Sequence, residues 1–398
     1  MKVLLVNKFH FYKGGAETYY FTLAELLKRA GHQVIFFSMK HEKNIKCDQE
    51  EYFVENREYV GKSSFIQKMK AFKNFVYSKE TYNNLSKLIE EEKPDLAILN
   101  NIHRQLTTAV VDALYDHKIK MYWVVHDLIM LCPNYQMLDG NGHICEDCCS
   151  GKYKNCIKKK CVKNSKIKSY LAVKEAKYNK KNDTYKKIDM FITPSNFYRN
   201  KLIQYGFNAN SIKYIPNPLS CDFVYEESNF DKGYVLYFGR ISREKGIKTL
   251  IDVMKNINYQ LFIVGTGPEE TILKNYSKNF QNIKFLGFKS GDDLNKYIKF
   301  SRCVILPSEW YENGPYSAME ALGKGKPLIV SKNGGLPELI SDGINGYIYN
   351  DNEELKEKIL SMINNENYID MCRNSLEFAK SAFSADNYLE KIFSKKGD

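Results

Sequence analysis

Residues 234–268 read YVLYFGRISREKGIKTLIDVMKNINYQLFIVGTGP and decide the fold of the second half of the chain. The apolar run from Tyr234 to Phe238 predicts a buried strand, and Lys245 begins a segment with helical spacing. Gln260 to Val264 reads as a second strand that stops at a glycine-rich turn, Gly265-Thr266-Gly267-Pro268. A strand, a helix and a strand in this order predict a parallel β-α-β unit.

The same alternation extends in both directions from this stretch. After it come an apolar run at 304–306, a helical segment from Pro315, another apolar run at 327–330 and alternating segments to residue 363. Before it, strands are predicted at 2–6, 33–37, 95–99, 121–125 and 190–193, and the helical segment after the first strand ends at Gly31. The pattern restarts after Asn217-Pro218. We therefore predict an α/β protein with two doubly wound domains joined near residue 216.

Composition and hydropathy exclude several classes of protein. The chain has 398 residues, of which 43% are hydrophobic and 27% charged, which fits two globular domains and excludes a collagen, a coiled coil and a disordered tail. The apolar run at residues 1–6 is too short for a signal peptide, and no stretch reaches the roughly 18 apolar residues of a membrane span. We expect a cytoplasmic protein whose ten cysteines are in a reducing environment.

The positive charge is concentrated in one segment. The formal net charge is +12, and residues 152–201 hold sixteen Lys or Arg but only three acidic residues, Glu175, Asp183 and Asp189. This basic segment suits an anionic partner such as a phospholipid surface or a phosphorylated acceptor. A solvated lysine-rich helix face is the alternative. Nucleic acid is not expected, because no recognised binding motif accompanies the segment.

Three groups of residues indicate an anion and a hydroxyl-rich ligand. Arg240 and Lys245 follow a predicted strand, where two cations can offset a diphosphate, although chance surface residues would look the same. In the segment 307–321, PSEWYENGPYSAMEA, Pro315 fits a helix start whose first amides, those of Tyr316 and Ser317, can bind an anion. Glu312 and Glu320 can accept hydrogen bonds from sugar hydroxyls, and two exposed surface glutamates are the alternative.

Gly14-Gly15 follows the first predicted strand and precedes a helix. Such a turn allows the backbone to approach a phosphate at the helix start. The dinucleotide fingerprint G-x-G-x-x-G is absent, so an ordinary turn explains these two glycines equally well.

A cysteine-rich loop at residues 143–161 precedes most of the basic segment. Cys145, Cys148, Cys156 and Cys161 have a spacing that suits a structural zinc site of four thiolates, with Cys149 or His143 as substitute ligands. A metal would order a loop with little core of its own. Free thiols in an oxidation-prone loop are the alternative.

The order of these motifs resembles a known enzyme family. Gly239-Arg240, Lys245-Gly246, Gly265-x-Gly267-Pro268, the pair Glu312 and Glu320, and Gly334-Gly335-Leu336-Pro337-Glu338 are similar to the retaining family four glycosyltransferases, also described as group 1 or glycogen synthase-like. Gly14-Gly15-Ala16-Glu17 and Val125-His126-Asp127 extend the resemblance into the first half. The resemblance implies the GT-B fold, in which two Rossmann-like domains face each other across a cleft. The expected parts are an acceptor-side domain at 1–215, a nucleotide-sugar domain at 216–375 and a C-terminal helix, 376–398, that returns to the first domain.

The resemblance also implies a role for each motif. Arg240 and Lys245 would bind and neutralise the diphosphate, Glu320 would hold the ribose, and Glu312 would bind a hydroxyl of the transferred sugar. His126 would lie near the anomeric carbon. The implied catalytic residues are His126, Glu312, Arg240 and Lys245. The implied donor-binding residues are Gly14, Gly15, Gly239, Arg240, Lys245, Gly265, Gly267, Glu312, Asn313, Gly314, Tyr316, Ser317 and Glu320.

The function expected from these features is that of a retaining hexosyltransferase in cell-surface polysaccharide biosynthesis. It would move a sugar from a nucleotide-diphosphate donor, UDP-linked by expectation, to a hydroxyl of a glycan acceptor, and the basic segment points to a lipid-linked acceptor at the inner membrane face. No Asp-x-Asp pair occurs, so no cofactor is expected to be needed for catalysis. A nucleotide-sugar epimerase on the same fold and a non-catalytic sugar-nucleotide-binding module are the competing interpretations.

Overall fold

A computed structural model of the chain describes residues 1–56, 75–220, 222–228, 230–386 and 388–394. Its internal contacts divide the chain into two units. Unit 1 contains Met1–Asn141, Cys145–Ile215 and Asp386–Asp398, and unit 2 contains Gly142–Ile144 and Pro216–Ala385.

Unit 1 is built on a six-stranded parallel sheet with the order β2-β1-β3-β4-β5-β6. The strands are β1 (Lys2–Val6), β2 (Gln33–Phe37), β3 (Leu96–Leu99), β4 (Lys120–Val124), β5 (Met190–Thr193) and β6 (Ile212–Tyr214). The helices are α1 (Gly15–Arg29), α2 (Lys79–Glu92), α3 (Ala109–Asp116), α4 (Lys154–Lys158), α5 (Lys166–Lys181) and α6 (Asn196–Gln204).

The central strands of unit 1 are apolar on both faces because helices cover both sides of the sheet. Val3 to Val6 of β1 are fully buried, and Val3 pairs with Val34 on one side and with Leu96 on the other. On α5, Ser165 accepts a hydrogen bond from the backbone N–H of Lys168 and thereby caps the N-terminus of the helix. Lysines dominate the exposed face of this helix, which identifies it as the main helix of the basic segment.

Unit 2 repeats the architecture with the strand order β12-β11-β10-β7-β8-β9, again entirely parallel. Its strands are β7 (Tyr234–Phe238), β8 (Gln260–Val264), β9 (Ile283–Gly287), β10 (Val304–Leu306), β11 (Leu328–Ser331) and β12 (Gly346–Tyr349). Its helices are α7 (Ile247–Met254), α8 (Glu270–Ser277), α9 (Gly291–Lys299), α10 (Tyr316–Gly323), α11 (Asn352–Ile363) and α12 (Tyr368–Phe383).

Strand alternation divides the core of unit 2 between the two faces of its sheet. Val235 and Tyr237 belong to one buried cluster, and their neighbours Leu236 and Phe238 belong to the other. Because all strands are parallel, their carboxyl ends lie along one edge of the sheet, where α/β proteins bind ligands. The predicted α/β class is confirmed in both units.

The last part of the chain is divided between the units. Residues 376–385 belong to unit 2, where α12 ends at Phe383, although they were expected with the returning helix. A separate helix, α13 (Tyr388–Phe393), belongs to unit 1, where the hydroxyls of Tyr388 and Tyr19 are 2.9 Å apart. Of the helices in the described ranges, none combines the length and apolar character needed to cross a membrane.

Candidate functional site

Glycines bring two loops into close contact at the carboxyl edge of unit 2. Gly239 follows β7 and Gly265 follows β8, and a Cβ atom on Gly265 would lie 1.9 Å from the carbonyl oxygen of Gly239. The φ of Gly265 is +134°, in a region that side chains rarely adopt. A Cβ on Gly267 would lie 2.1 Å from the carbonyl oxygen of Ile241. These glycines allow the two loops to pack closely against each other.

Lys245 and Glu312 form the central ion pair of this edge. Lys245 ends a 3-10 turn after β7, and Glu312 lies in the loop after β10. The ammonium Nζ of Lys245 is 2.6 Å from Oε1 of Glu312, and the hydroxyl of Ser308 donates to the same oxygen at 2.6 Å. The ammonium also lies 5.1 Å from the ring centroid of Trp310. Two residues that are 67 positions apart in sequence therefore form one ion pair at this edge.

The environment of Glu312 keeps its carboxylate ionised. Burial alone would raise its pKa, but the charge and hydrogen bond of Lys245, together with the bond from Ser308, hold the pKa below its ordinary value. The backbone is fixed as well, because the N–H of Gly335 donates to the carbonyl of Glu312 at 2.7 Å. A Cβ on Gly334 would lie 2.2 Å from that carbonyl oxygen, which explains the glycine at position 334.

Helix α10 presents its N-terminus at the same edge. Pro315 is the extended residue that precedes the helix, so the helix begins one residue later than predicted, and Tyr316 and Ser317 are its first two residues, with their amides in the first turn. Glu320 lies on the same helix, half-buried. Across the part of the chain that the structure describes, its carboxylate has no hydrogen bond or ion pair. Burial raises the pKa of Glu320 to about 7.

Arg240 is exposed at the start of the loop after β7. In the described ranges its side chain makes no hydrogen bond or ion pair, whereas its carbonyl accepts from the hydroxyl of Tyr237 at 2.7 Å. Asn313 and Gly314 are partly exposed between Glu312 and α10. The edge therefore offers a fixed ion pair, an available guanidinium and an available carboxyl group.

The remaining predicted donor residues lie in unit 1. Gly14 and Gly15 are exposed at the start of α1, and the carbonyl of Gly14 accepts from the amides of Glu17 and Thr18. The φ of Gly14 is −172°, an extended conformation open to any residue, so the backbone does not explain this glycine.

His126 follows β4 at the carboxyl edge of unit 1. Its Nε2 is 2.8 Å from Oδ1 of Asn100, so the imidazole donates from Nε2 and leaves Nδ1 as an acceptor. Burial, assisted by the charge of Lys8, lowers the pKa of His126 to about 3 and keeps the ring neutral. Its ring also packs edge-on against Tyr19, with the centroids 5.2 Å apart.

The structure does not support the predicted zinc site. In the described ranges, no three or more His, Cys, Asp or Glu side chains are grouped so that they could hold a metal ion. Cys148, Cys156 and Cys161 pack instead in a buried apolar cluster with Tyr153 and neighbouring residues. Cys145 is half-buried, and its sulfur accepts from Lys159 at 3.3 Å. The substitute ligands Cys149 and His143 belong to no metal-binding group either.

Sequence reasoning missed part of both edges. In unit 2 it missed Ser308, which directly precedes the predicted glutamate loop. In unit 1 it missed a group of charged residues: Lys8 after β1, Arg104 after β3 and Glu175 on α5. Their positions just beyond strands could have identified Lys8 and Arg104. Glu175 gave no such signal because it is one acid in a lysine-rich helix.

Comparison with known proteins identifies the family. Residues 13–223 match the family described as Glycosyltransferase Family 4, and residues 223–380 match the family described as Glycosyl transferases group 1. An uncharacterized glycosyltransferase of Methanocaldococcus jannaschii is 26% identical over 385 residues, which cover 96% of this chain and 93% of that protein. The lipopolysaccharide 1,2-N-acetylglucosaminetransferase of Salmonella typhimurium is 29% identical over 163 residues, 37% of this chain and 42% of that protein.

A solved structure agrees with the assignment of the fold. The crystal structure of Anabaena HepE in complex with UDP superposes with a TM-score of 0.68, covering 98% of each chain at 18% identity. At that identity the likeness establishes the GT-B fold alone. The first family match spans more than half of the chain. The chain therefore belongs to Glycosyltransferase Family 4, among the group 1 glycosyltransferases, and is a transferase of the GT-B fold.

Proposed function

We propose that the protein is a retaining hexosyltransferase that moves a sugar from a UDP-sugar to a hydroxyl of a glycan acceptor. The observation that carries the proposal is the carboxyl edge of unit 2. There the Lys245–Glu312 pair and the exposed Arg240 accompany the carboxyl group of Glu320, which has no hydrogen bond or ion pair to the residues that the structure describes. A nucleotide diphosphate attached to a sugar needs cations for its phosphates and acceptors for its hydroxyls, and this edge offers both.

The diphosphate is assigned to the cations and to the start of α10. Arg240 can form paired hydrogen bonds to phosphate oxygens, and Lys245 adds a charge whose position Glu312 fixes. The amides of Tyr316 and Ser317 add donors at the positive end of the helix dipole. The loop glycines Gly239, Gly265 and Gly267 keep the approach free of side chains, and Gly14 and Gly15 are assigned to the same donor.

Glu320 and Glu312 are assigned to hydroxyl groups of the donor. The Glu320 carboxyl group is half-buried and can accept from a ribose, and Glu312 together with Asn313 and Gly314 is assigned to the transferred sugar. Support for a uridine nucleotide comes from Anabaena HepE, which was crystallised with UDP and also with UDP-glucose.

Charge stabilisation is the proposed source of catalysis. As the bond to the sugar breaks, negative charge grows on the leaving phosphate and positive charge grows on the sugar ring. Arg240 and Lys245 stabilise the first, and nearby carboxylate and carbonyl oxygens accommodate the second. His126 is neutral and offers Nδ1 as an acceptor to a sugar hydroxyl. Retention of the anomeric configuration is proposed from the family resemblance.

The transfer is tested by incubating the full chain with UDP-glucose or UDP-N-acetylglucosamine and a panel of glycan acceptors. The expected result is UDP release that depends on an acceptor, with a first-formed product whose anomeric proton coupling in NMR matches that of the donor. Turnover of the donor in water alone would favour the epimerase, and an inverted product would refute retention. Stabilisation by GDP or ADP but not by UDP in thermal unfolding would refute the assignment of the base.

The basic segment is assigned to an anionic membrane surface that carries a lipid-linked acceptor, in cell-surface polysaccharide biosynthesis. On α5 the exposed Ile167 and Tyr170 lie among the exposed lysines Lys166, Lys168, Lys174 and Lys177. Apolar side chains surrounded by cations are typical of a helix that lies on an anionic bilayer surface.

Liposome co-sedimentation tests this assignment. The protein should pellet with vesicles that contain phosphatidylglycerol and remain in solution with pure phosphatidylcholine, and replacing Lys174 and Lys177 with Glu should abolish the difference. Equal binding to both vesicles, or no loss on charge reversal, would refute a membrane role for this helix.

A further inference from the structure

A second set of charged residues lies at the carboxyl edge of unit 1. Lys8, Arg104 and Asp127 follow three neighbouring strands, β1, β3 and β4, and each is half-buried. Because these strands are adjacent and parallel, the three charged residues that follow them lie along the same part of the edge. None of the motifs that carried the family resemblance includes Lys8 or Arg104.

These charges are close but incompletely paired. Among the residues that the structure describes, the Lys8 ammonium forms no ion pair, although Asp127 and Glu17 attract it. One carboxylate oxygen of Asp127, Oδ1, accepts from the backbone N–H of Ile129 at 3.1 Å. Burial lowers the pKa of Lys8 and raises that of Asp127, so both charges are partly desolvated at this edge.

Glu175 holds Arg104 in place from the buried face of α5. Its Oε1 accepts from the backbone N–H of Arg104 at 3.0 Å, and its Oε2 is 3.8 Å from Nε of the same residue. Arg104 has a φ of +70°, a left-handed conformation that a non-glycine residue keeps only when its surroundings hold it there. One helical turn later on α5, Asn179 accepts a hydrogen bond from the hydroxyl of Thr108 at 2.7 Å. This bond gives α5 a second contact with the loop after β3 that contains Arg104.

Arg104 in turn fixes the loop after β4. Its Nη2 donates to the carbonyl of Pro133 at 2.9 Å, and its guanidinium lies 5.4 Å from the ring centroid of Tyr135. His126 and Asp127 lie near the start of this loop. A continuous set of contacts therefore runs from Glu175 through Arg104 to the segment that carries the proposed sugar contact.

We propose that Lys8, Arg104 and Asp127 bind a hydroxyl-rich ring of the acceptor, and that Glu175 is a positioning residue that sets the place of Arg104. The inference rests on the proposed function and names an acceptor subsite for it. Ammonium and guanidinium groups donate and a carboxylate accepts, so together they match ring hydroxyls, which do both. A phosphate fits less well, because the carboxylates of Asp127, Glu17 and Glu175 surround the two cations.

The test measures two binding reactions on the same full-length samples. Saturation-transfer NMR gives the Kd of two probes, methyl α-glucopyranoside and methyl β-galactopyranoside, and calorimetry gives the Kd of UDP. In Glu175→Ala the Kd of the bound glycoside should rise about tenfold or more, since an arginine loses its buried charged partner. The Kd of UDP should change less than twofold.

Glu175→Gln separates positioning from folding. Glutamine keeps an oxygen that can accept from the Arg104 N–H but loses the charge, so we expect an intermediate loss and a melting temperature close to that of the parent. Glu25→Ala is the matched control, because it removes another Arg–Glu pair, with Arg29, on the exposed face of α1. It should leave the Kd of the glycoside unchanged.

The outcomes distinguish this inference from the proposed function. If UDP binds but the glycoside Kd is the same in Glu175→Ala, Glu175→Gln and the parent, the positioning role is refuted. If inorganic phosphate competes with the glycosides and binds more tightly than they do, the subsite recognises an anion and the hydroxyl assignment is wrong. Failure of the parent to bind UDP would instead refute the proposed function.

Discussion

The carboxyl edges of the two sheets differ in whether their charged side chains form ion pairs. Both sheets have six parallel strands and loops that carry cations and carboxylates. In unit 2, Lys245 and Glu312 meet at 2.6 Å with a hydroxyl donating to the same oxygen. In unit 1, Lys8 lies near carboxylates without pairing in the described structure.

The difference matches what the two proposed ligands require. A fixed ion pair is preorganised, so it stabilises developing charge without rearranging during the reaction. Loosely paired charges that are partly desolvated gain more from a ligand that supplies the missing hydrogen bonds. Such an arrangement suits the leaving diphosphate at unit 2 and hydroxyl groups at unit 1.

The largest effect is expected from breaking the preorganised pair of unit 2. Lys245→Ala removes the cation and leaves Glu312 buried without its partner, and we expect a loss of about a hundredfold to a thousandfold in kcat. Steady-state rates of UDP release measure it. Lys248→Ala is the matched control, because this exposed lysine pairs with Asp252 on α7 and its removal should leave kcat within twofold. A small loss in Lys245→Ala, equal to that of the control, would contradict the role of the pair.

The second-largest effect is expected from replacing His126 at the carboxyl edge of unit 1. With a pKa lowered to about 3 by burial, its ring stays neutral at every pH from 5 to 8. We expect His126→Ala to reduce kcat/KM about tenfold to a hundredfold, since it removes the proposed sugar contact. The reduction should be the same at pH 5.5 and pH 8. A loss that appears only above or below pH 6.5 would show that the imidazole titrates and that its neutral assignment is wrong.

The sequence predicted the sheets well because the strands are buried on both faces. The apolar run at 234–238 predicted a buried strand, and the β-α-β order then determined where the carboxyl ends of the strands lie. Lys245 and Glu312 could be assigned to the same edge for this reason. Their direct hydrogen bond could not be predicted, because it depends on side-chain geometry in two loops that are far apart in sequence.

The errors of prediction have a common physical cause. The cysteine spacing permits a tetrahedral site, but the fold buries Cys156 and Cys161 in an apolar cluster and leaves Cys145 beside Lys159. No role was predicted for Glu175 within its lysine-rich helix, yet it is 3% exposed on the inner side of α5. Both depend on which face of a short segment packs against the sheet, which local sequence does not specify.

A moderate effect is expected at Glu320, where binding and stability should change in opposite directions. Burial raises its pKa to about 7 from 4.5. The folded state therefore loses stability as the pH rises from about 4.5 to about 7, because the unfolded state ionises first. Glu320→Gln removes this cost, and above pH 7 it should stabilise unit 2 by about 1 kcal/mol, after allowance for partial solvent contact.

Thermal unfolding and calorimetry measure the two consequences. The melting temperature of Glu320→Gln should be roughly 2–4 °C higher than that of the parent at pH 8 and equal to it at pH 4.5. The Kd of UDP should rise by up to about tenfold, because the ribose loses a charged acceptor. A lower melting temperature at pH 8 would show that the carboxylate has a stabilising partner, in which case it would not be available to a nucleotide.

The smallest effects are expected for the cysteines of unit 1. Comparing the losses of unfolding free energy in Cys156→Ala and Cys145→Ala distinguishes packing from metal binding. If Cys156 packs as a thiol, Cys156→Ala leaves a small buried cavity and costs about 1 kcal/mol, whereas the half-buried Cys145→Ala costs at most about 0.5 kcal/mol. If both were zinc ligands, each change would remove one of four metal bonds and both would cost several kcal/mol. Denaturant titration with and without a chelator measures the two costs. Equal, large losses that the chelator reproduces in the parent would restore the metal site, because packing alone cannot make a half-buried cysteine as costly as a fully buried one.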